Sequence, residues 1–202
     1  HSGTNQLKTI EPTTGAITEL VYRTHGQTGA GRVGNRLTKS EDGSSTLSQI
    51  DTSYDLHGRL TGESGTGTYP ITYGYNAVYG DRTTLSTYRE ATADTTTWTY
   101  QASTGLLTRK QYADTKGIDY SYHDSGQLKT RTMARGIVTT YTYDDTGNPD
   151  LTDYSDTTTD IDWTYNRAGR MTDVDDAAGS HALDYADDGQ LTEDDVTGGI
   201  LG

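Results

Sequence analysis

A short phrase recurs along this chain: a tyrosine, then often an Asp or Asn, a glycine four or five residues after the tyrosine, and an aliphatic residue beyond it. It reads Tyr54-Asp55-Leu56-His57-Gly58-Arg59-Leu60-Thr61, Tyr122-His123-Asp124-Ser125-Gly126-Gln127-Leu128 and Tyr165-Asn166-Arg167-Ala168-Gly169-Arg170-Met171-Thr172. The anchors are Tyr54, Tyr75, Tyr100, Tyr122, Tyr143, Tyr165 and Tyr185, 20 to 25 residues apart, with glycines Gly58, Gly80, Gly105, Gly126, Gly147, Gly169 and Gly189. Such a period means one supersecondary unit copied end to end. A copied unit builds a surface rather than a single catalytic constellation.

Each repeat holds two turns. In the first, for example Asp144-Asp145-Thr146-Gly147, the Asp accepts local N–H groups and the Gly takes a left-handed conformation. The second lies about ten residues on, at Ala134-Arg135-Gly136, Thr115-Lys116-Gly117 and Ala178-Gly179-Ser180. Between turns the residues alternate, so Ile161, Trp163 and Tyr165 share one face and Asp162 and Thr164 the other. The expectation is an all-β fold: an antiparallel meander of hairpins, about 14 to 18 strands, curling into a curved or spiralling ribbon. Clear repeats run over about 50–195. Degenerate copies occupy about 10–49, at Thr14-Gly15-Ala16-Ile17-Thr18 and Gly34-Asn35-Arg36-Leu37-Thr38. With a tail over 196–202, the whole of 1–202 reads as one array.

Leu, Ile and Val together number 28 of 202 residues, with no Phe, and the net charge is -13. Without the repeat such a chain would read as disordered. Sixteen Tyr and two Trp supply the missing apolar area. Their phase with Ile71 and Ile161 makes them the expected core between strands, stacking in rows from repeat to repeat. Sugar stacking on exposed rings is the other reading.

The acidic balance disfavours nucleic acid and anionic membranes, and no apolar stretch is long enough to span a bilayer. The absence of cysteine excludes disulfides, thiolate metal sites and Cys nucleophiles. Asp173, Asp175 and Asp176, near Asp187, Asp188, Glu193, Asp194 and Asp195, are the candidate calcium ligands; solvated turn acids are the alternative. The histidines His1, His25, His57, His123 and His181 have no metal spacing, and no Gly-x-Ser-x-Gly elbow occurs. Gly26-Gln27-Thr28-Gly29-Ala30-Gly31 lacks the Lys-Ser/Thr ending of a phosphate loop. Neither catalytic residues nor a cofactor are expected. The start His1-Ser2-Gly3-Thr4 reads as that of a mature fragment or an excised piece.

The phrase resembles the YD-repeat (RHS-repeat) unit, Tyr-Asp-x-x-Gly-Arg-Leu-Thr. Residues 54–61 fit it throughout, Tyr143-Asp144-Asp145-Thr146-Gly147-Asn148 and 165–171 fit closely, and 75–83 and 100–108 are insertion variants. The resemblance covers about residues 14 to 195. The family includes bacterial Rhs proteins, the C components of Tc toxin complexes and the teneurins, whose repeats form a β-ribbon wound into a hollow shell. It implies a non-catalytic structural wall, secreted or at a bacterial cell surface. Its implied partners are other repeats of a longer parent or other copies through sheet edges, with a glycan- or cell-surface-binding adhesin as the alternative. The toxin members carry an autocleavage site containing Asp-Pro; here the prolines follow Glu11, Tyr69 and Asn148, so autoproteolysis and toxicity do not carry over.

Overall fold

A computed structural model describes residues 9–10 and 15–198. Among them every regular element is a strand, seventeen in all, and every register resolved is antiparallel between neighbours in sequence. The expected all-β meander is therefore the observed one. The chain divides into two units, 1–98 with 112–114, and 99–111 with 115–202.

In the first unit the ladder runs β1 (Thr9–Ile10), β2 (Ile17–Tyr22), β3 (Val33–Lys39), β4 (Thr46–Tyr54), β5 (Leu60–Ser64), β6 (Ile71–Tyr75), β7 (Arg82–Arg89) and β8 (Thr92–Tyr100), the last crossing the boundary. Each strand pairs with the next. In the second unit it runs β9 (Leu107–Gln111), β10 (Gly117–Tyr122), β11 (Leu128–Thr132), β12 (Val138–Tyr143), β13 (Pro149–Tyr154), β14 (Ile161–Tyr165), β15 (Met171–Asp176), β16 (Gly179–Tyr185) and β17 (Leu191–Thr197). Again the pairs resolved are between sequence neighbours.

Period-two alternation gives each unit two unlike faces. In the second, cross-strand register sets Trp163 opposite Val174, Val174 opposite His181 and Tyr141 opposite Thr152. The other face sets Asp162 opposite Asp175 and Asp184 opposite Glu193. The aromatic core expected from the sequence does not form. Among the described residues no hydrophobic side chain is buried; the buried polar ones are Thr139 and Thr152. The reason is architectural. Among the described residues of each unit the strand contacts resolved are those between ladder neighbours, so within a unit no second layer lies on the aromatic face.

One degenerate repeat also lies elsewhere than the sequence placed it. Gly34-Asn35-Arg36-Leu37 is inside β3, where Gly34 is buried and has no left-handed φ. The turn belongs instead to Tyr22, with Gly31 (φ 79°), Arg32 and Val33 closing it after an inserted loop. The first degenerate copy begins at Thr14, outside the described residues, and continues through Gly15 (φ 103°) into β2.

The β7–β8 hairpin joins Arg89 to Thr92 through Glu90-Ala91, and Glu90 has φ 56°. A two-residue loop opening with positive φ favours glycine at that position. Glu90→Gly is expected to stabilise the first unit by about 1 kcal/mol, read as a raised denaturation midpoint with unchanged slope.

Candidate functional site

The repeated feature of this molecule is a joint between successive repeats, built from the turn outward. In five copies the residue after the anchor donates its N–H to the carbonyl of the residue after the glycine. These are Asp55 to Arg59, His123 to Gln127, Asp144 to Asn148, Asn166 to Arg170 and Ala186 to Gln190, all 2.9 Å. The glycine N–H bonds back to that first residue's carbonyl at 2.8–3.0 Å. This is a three-residue hairpin loop ending in a left-handed glycine. The Tyr75 and Tyr100 copies add one residue and close at Asn76–Asp81 and Gln101–Leu106, both 2.8 Å.

The acidic or amide position is explained by the same loop. Asp55 Oδ1 accepts the N–H groups of His57 and Arg59, and Asn166 Oδ1 those of Ala168 and Arg170. Asp144 accepts from the backbone and side chains of both Thr146 and Asn148. Those bonds, the Thr146 hydroxyl first, hold its carboxyl down at about 2. At Asp55 desolvation pushes upward, but the Arg59 and His57 hydrogen bonds win and lower it. Where the anchor is followed by Ala186, Asp188 serves instead and accepts from Gln190 N–H at 3.1 Å.

At Tyr22, Tyr54, Tyr75, Tyr122, Tyr143, Tyr165 and Tyr185 the ladder register shifts by a bulge. A bulge re-aims a side chain. Four anchor hydroxyls then donate to a carbonyl at the start of the preceding strand: Tyr54 to Val33 (2.9 Å), Tyr75 to Leu60 (2.7 Å), Tyr122 to Leu107 (2.8 Å) and Tyr143 to Leu128 (3.0 Å). Each acceptor is the aliphatic residue of the previous motif. The expected rows of stacked tyrosines are thus replaced at these anchors by hydroxyl-to-carbonyl rungs.

The residue after the motif glycine completes the joint. Arg32 lies over the Tyr54 ring at 5.7 Å, Arg59 over Tyr75 at 4.6 Å and Arg170 over Tyr185 at 5.7 Å. The same side chains cover the next motif glycine. A methyl group on Gly58 would come within 3.0 Å of Arg32, on Gly80 within 3.1 Å of Arg59, and on Gly189 within 2.6 Å of Arg170. Gln127 plays this part in its repeat, donating to the Gly147 carbonyl at 3.0 Å. The sequence showed why the glycine needs positive φ; it did not show that the preceding repeat lies on it.

The other sequence candidates stay apart. Among the described residues no group of three His, Cys, Asp or Glu is placed to hold a metal ion. Asp173 and Asp175 are exposed on one face of β15 and Asp176 falls on the other phase. Asp173 accepts from the Thr164 hydroxyl at 2.6 Å, which lowers its pKa. His57 lies at an exposed turn tip, and His123 packs edge-on against Tyr143 at 5.9 Å. The Gly26–Gly31 stretch packs on Tyr54, where a methyl on Gly29 would meet the ring at 2.6 Å. No helix among the described residues is long and apolar enough to cross a membrane.

Gly126 and Gly189 have nearly the same φ, 88° and 90°, but nothing lies within 4 Å of a methyl on Gly126. Gly126→Ala is expected to lose only the conformational preference, about 1–2 kcal/mol. Gly189→Ala is expected to lose more, because Arg170 must leave Tyr185; thermal denaturation of the two variants measures the difference. Asp144, depressed from 3.8 to about 2, contributes stability that is complete above pH 4 and is lost as pH falls toward 2. Amide protection factors in the 144–148 turn, which remove the intrinsic pH dependence of exchange, should fall over that window in the native chain and not in Asp144→Asn. Tyr122 and Tyr143 are raised above 10.0, by desolvation first and then by Tyr120 and Tyr141. Their contribution is complete below pH 10 and is lost on passing above it.

No family model matches the chain, and no curated protein matches it at a significant level. Solved structures do. The chain superposes on the crystal structure of TcdB2-TccC3-Cdc42 with a TM-score of 0.66 and 13% identity, over 91% of its own length and 11% of that chain. It superposes on the Photorhabdus luminescens Tc holotoxin pore, carrying a substituted TccC3, with a TM-score of 0.67 and 14% identity, over 90% and 11%. The chain spans about a tenth of the length of these structures. It shares the β-strand fold of the Rhs/YD-repeat segments in these Tc toxin complexes.

Proposed function

We propose that this chain is a non-catalytic wall element: a YD-repeat scaffold forming part of a shell or surface assembly related to toxin-encapsulating proteins, acting outside the cytoplasm. The observation that carries this reading is where the repeat spends its recurring chemistry. In the rungs resolved, the tyrosine hydroxyl and the Arg or Gln after the glycine are directed at the neighbouring repeat. A residue so committed holds a lattice together and is not free for substrate.

The partners in this reading are further repeats, from a longer parent or another copy. At the end of the second unit's ladder the register resolved for β17 is with β16, and all seven of its residues are exposed. An unpaired edge is a template for another strand. The resemblance to YD-repeat shells gives the reading its cargo class, an enclosed polypeptide.

The test is co-expression of the chain with the polypeptides encoded beside it, followed by affinity purification and limited proteolysis. A co-purifying polypeptide should be shielded from protease, and the shielding should weaken when Tyr122 and Tyr143 are both changed to Phe. Turnover of a polysaccharide, peptide or phosphoester substrate, abolished by one side-chain replacement, would overturn the reading.

A further inference from the structure

In the joints of three repeats an arginine of one motif lies across the tyrosine ring of the next, and in a fourth Gln127 reaches the next turn. In the joint to Tyr165 the corresponding residue is Asn148, which turns back to Asp144 at 3.0 Å. The joint between the Tyr100 and Tyr122 motifs is different. Here the residue after the glycine is Leu106, identified as the equivalent of Arg59 by the Gln101 N–H bond to its carbonyl. Nothing lies within 4 Å of a methyl on Gly126, as is also true of Gly105 and Gly169; what sets this joint apart is the open space beside it.

A cleft of about 540 Å³ opens at that place. Its walls include Gln101, Thr104, Leu106, Tyr122, His123 and Asp124. Tyr122 keeps its rung to the Leu107 carbonyl, so the ring is held in the anchor position, as Tyr54 and Tyr75 are. The backbone of the joint is intact and the cationic side chain is missing.

We propose that this cleft is a binding slot for a guanidinium group, an arginine side chain of a partner polypeptide that lies over the Tyr122 ring and against Gly126. The molecule itself supplies the precedent in shape: the same joint accepts a guanidinium at Tyr54, Tyr75 and Tyr185. Charge is compatible with the same occupant: Asp124 lines the cleft at the position of Leu56 in the Tyr54 turn, while His123 stands at the position of Asp55. A planar, weakly hydrated cation prefers an aromatic face to a degree that an ammonium of equal charge does not. The slot goes beyond the wall reading and does not depend on it.

The test is an NMR titration of the full chain with acetyl-arginine amide, and with acetyl-lysine amide as the equal-charge probe. The expected result is saturable shifts at Gln101, Leu106, Tyr122 and Gly126, with the arginine probe bound roughly 5-fold more tightly than lysine. Leu106→Arg should fill the slot from within, abolish those shifts and raise the melting temperature. Leu106→Gln, which copies the side chain found at Gln127, serves if the arginine variant fails to fold. Equal binding of the two probes, shifts confined to the acidic strands β13–β17, no shifts at all, or unchanged binding in Leu106→Arg would each overturn the slot. None of these would touch the wall reading, whose test is shielding of a polypeptide.

Discussion

The hydrogen bond from a tyrosine hydroxyl to the carbonyl at the start of the preceding strand is what the structure depends on. It accounts for tyrosine rather than phenylalanine at the four anchors where it is resolved, Tyr54, Tyr75, Tyr122 and Tyr143. A phenylalanine would offer the same ring area but no donor. The ladder alone fixes strand to strand; the rung fixes turn to turn two strands away, about 10 Å on. Each bond is worth only about 1 kcal/mol net, and an arginine over the ring adds about 0.5–1 kcal/mol at an exposed site. Their effect comes from repetition, since each repeat touches only its neighbours and stability is a sum of such joints.

This dependence follows from the missing core. Among the described residues no hydrophobic side chain is buried, so the usual source of cohesion is thin. Half-buried rings, Thr-to-Thr and Ser-to-Thr bonds such as Ser121–Thr130 at 2.6 Å, and backbone pairing take its place. The bulge is part of the same solution. At Tyr54, Tyr75, Tyr122 and Tyr143 it swings the ring out of simple alternation and the hydroxyl reaches back.

The strands, the turns and the seven clear repeats are legible from sequence because they rest on local rules: period-two alternation, an Asx residue opening the loop and glycine closing it. What was not legible is relational. The sequence placed the aromatic side chains in a core, since ring area normally means burial; a single-layer sheet within each unit offers no such interior. It placed a degenerate repeat at Gly34–Thr38, because the inserted loop of nine residues between Tyr22 and Arg32 hid the true spacing. The role of Arg32, Arg59 and Arg170 needed the register, which sets these residues beside a tyrosine 15 to 22 positions later.

Charge is the remaining unevenness. Residues 144–202 carry sixteen carboxylates against Arg167 and Arg170 alone, while the preceding residues are nearly balanced. On the polar face of β14–β17 this sets Asp162 directly opposite Asp175 and Asp184 opposite Glu193. Like charges facing across a ladder oppose pairing by a few tenths of a kcal/mol each. Salt relieves such exposed pairs but leaves the hydroxyl rungs untouched, so the two contributions separate by ionic strength. A sheet whose cohesion is hydrogen-bonded and local tolerates this burden on one face, because no core must be kept dry beneath it.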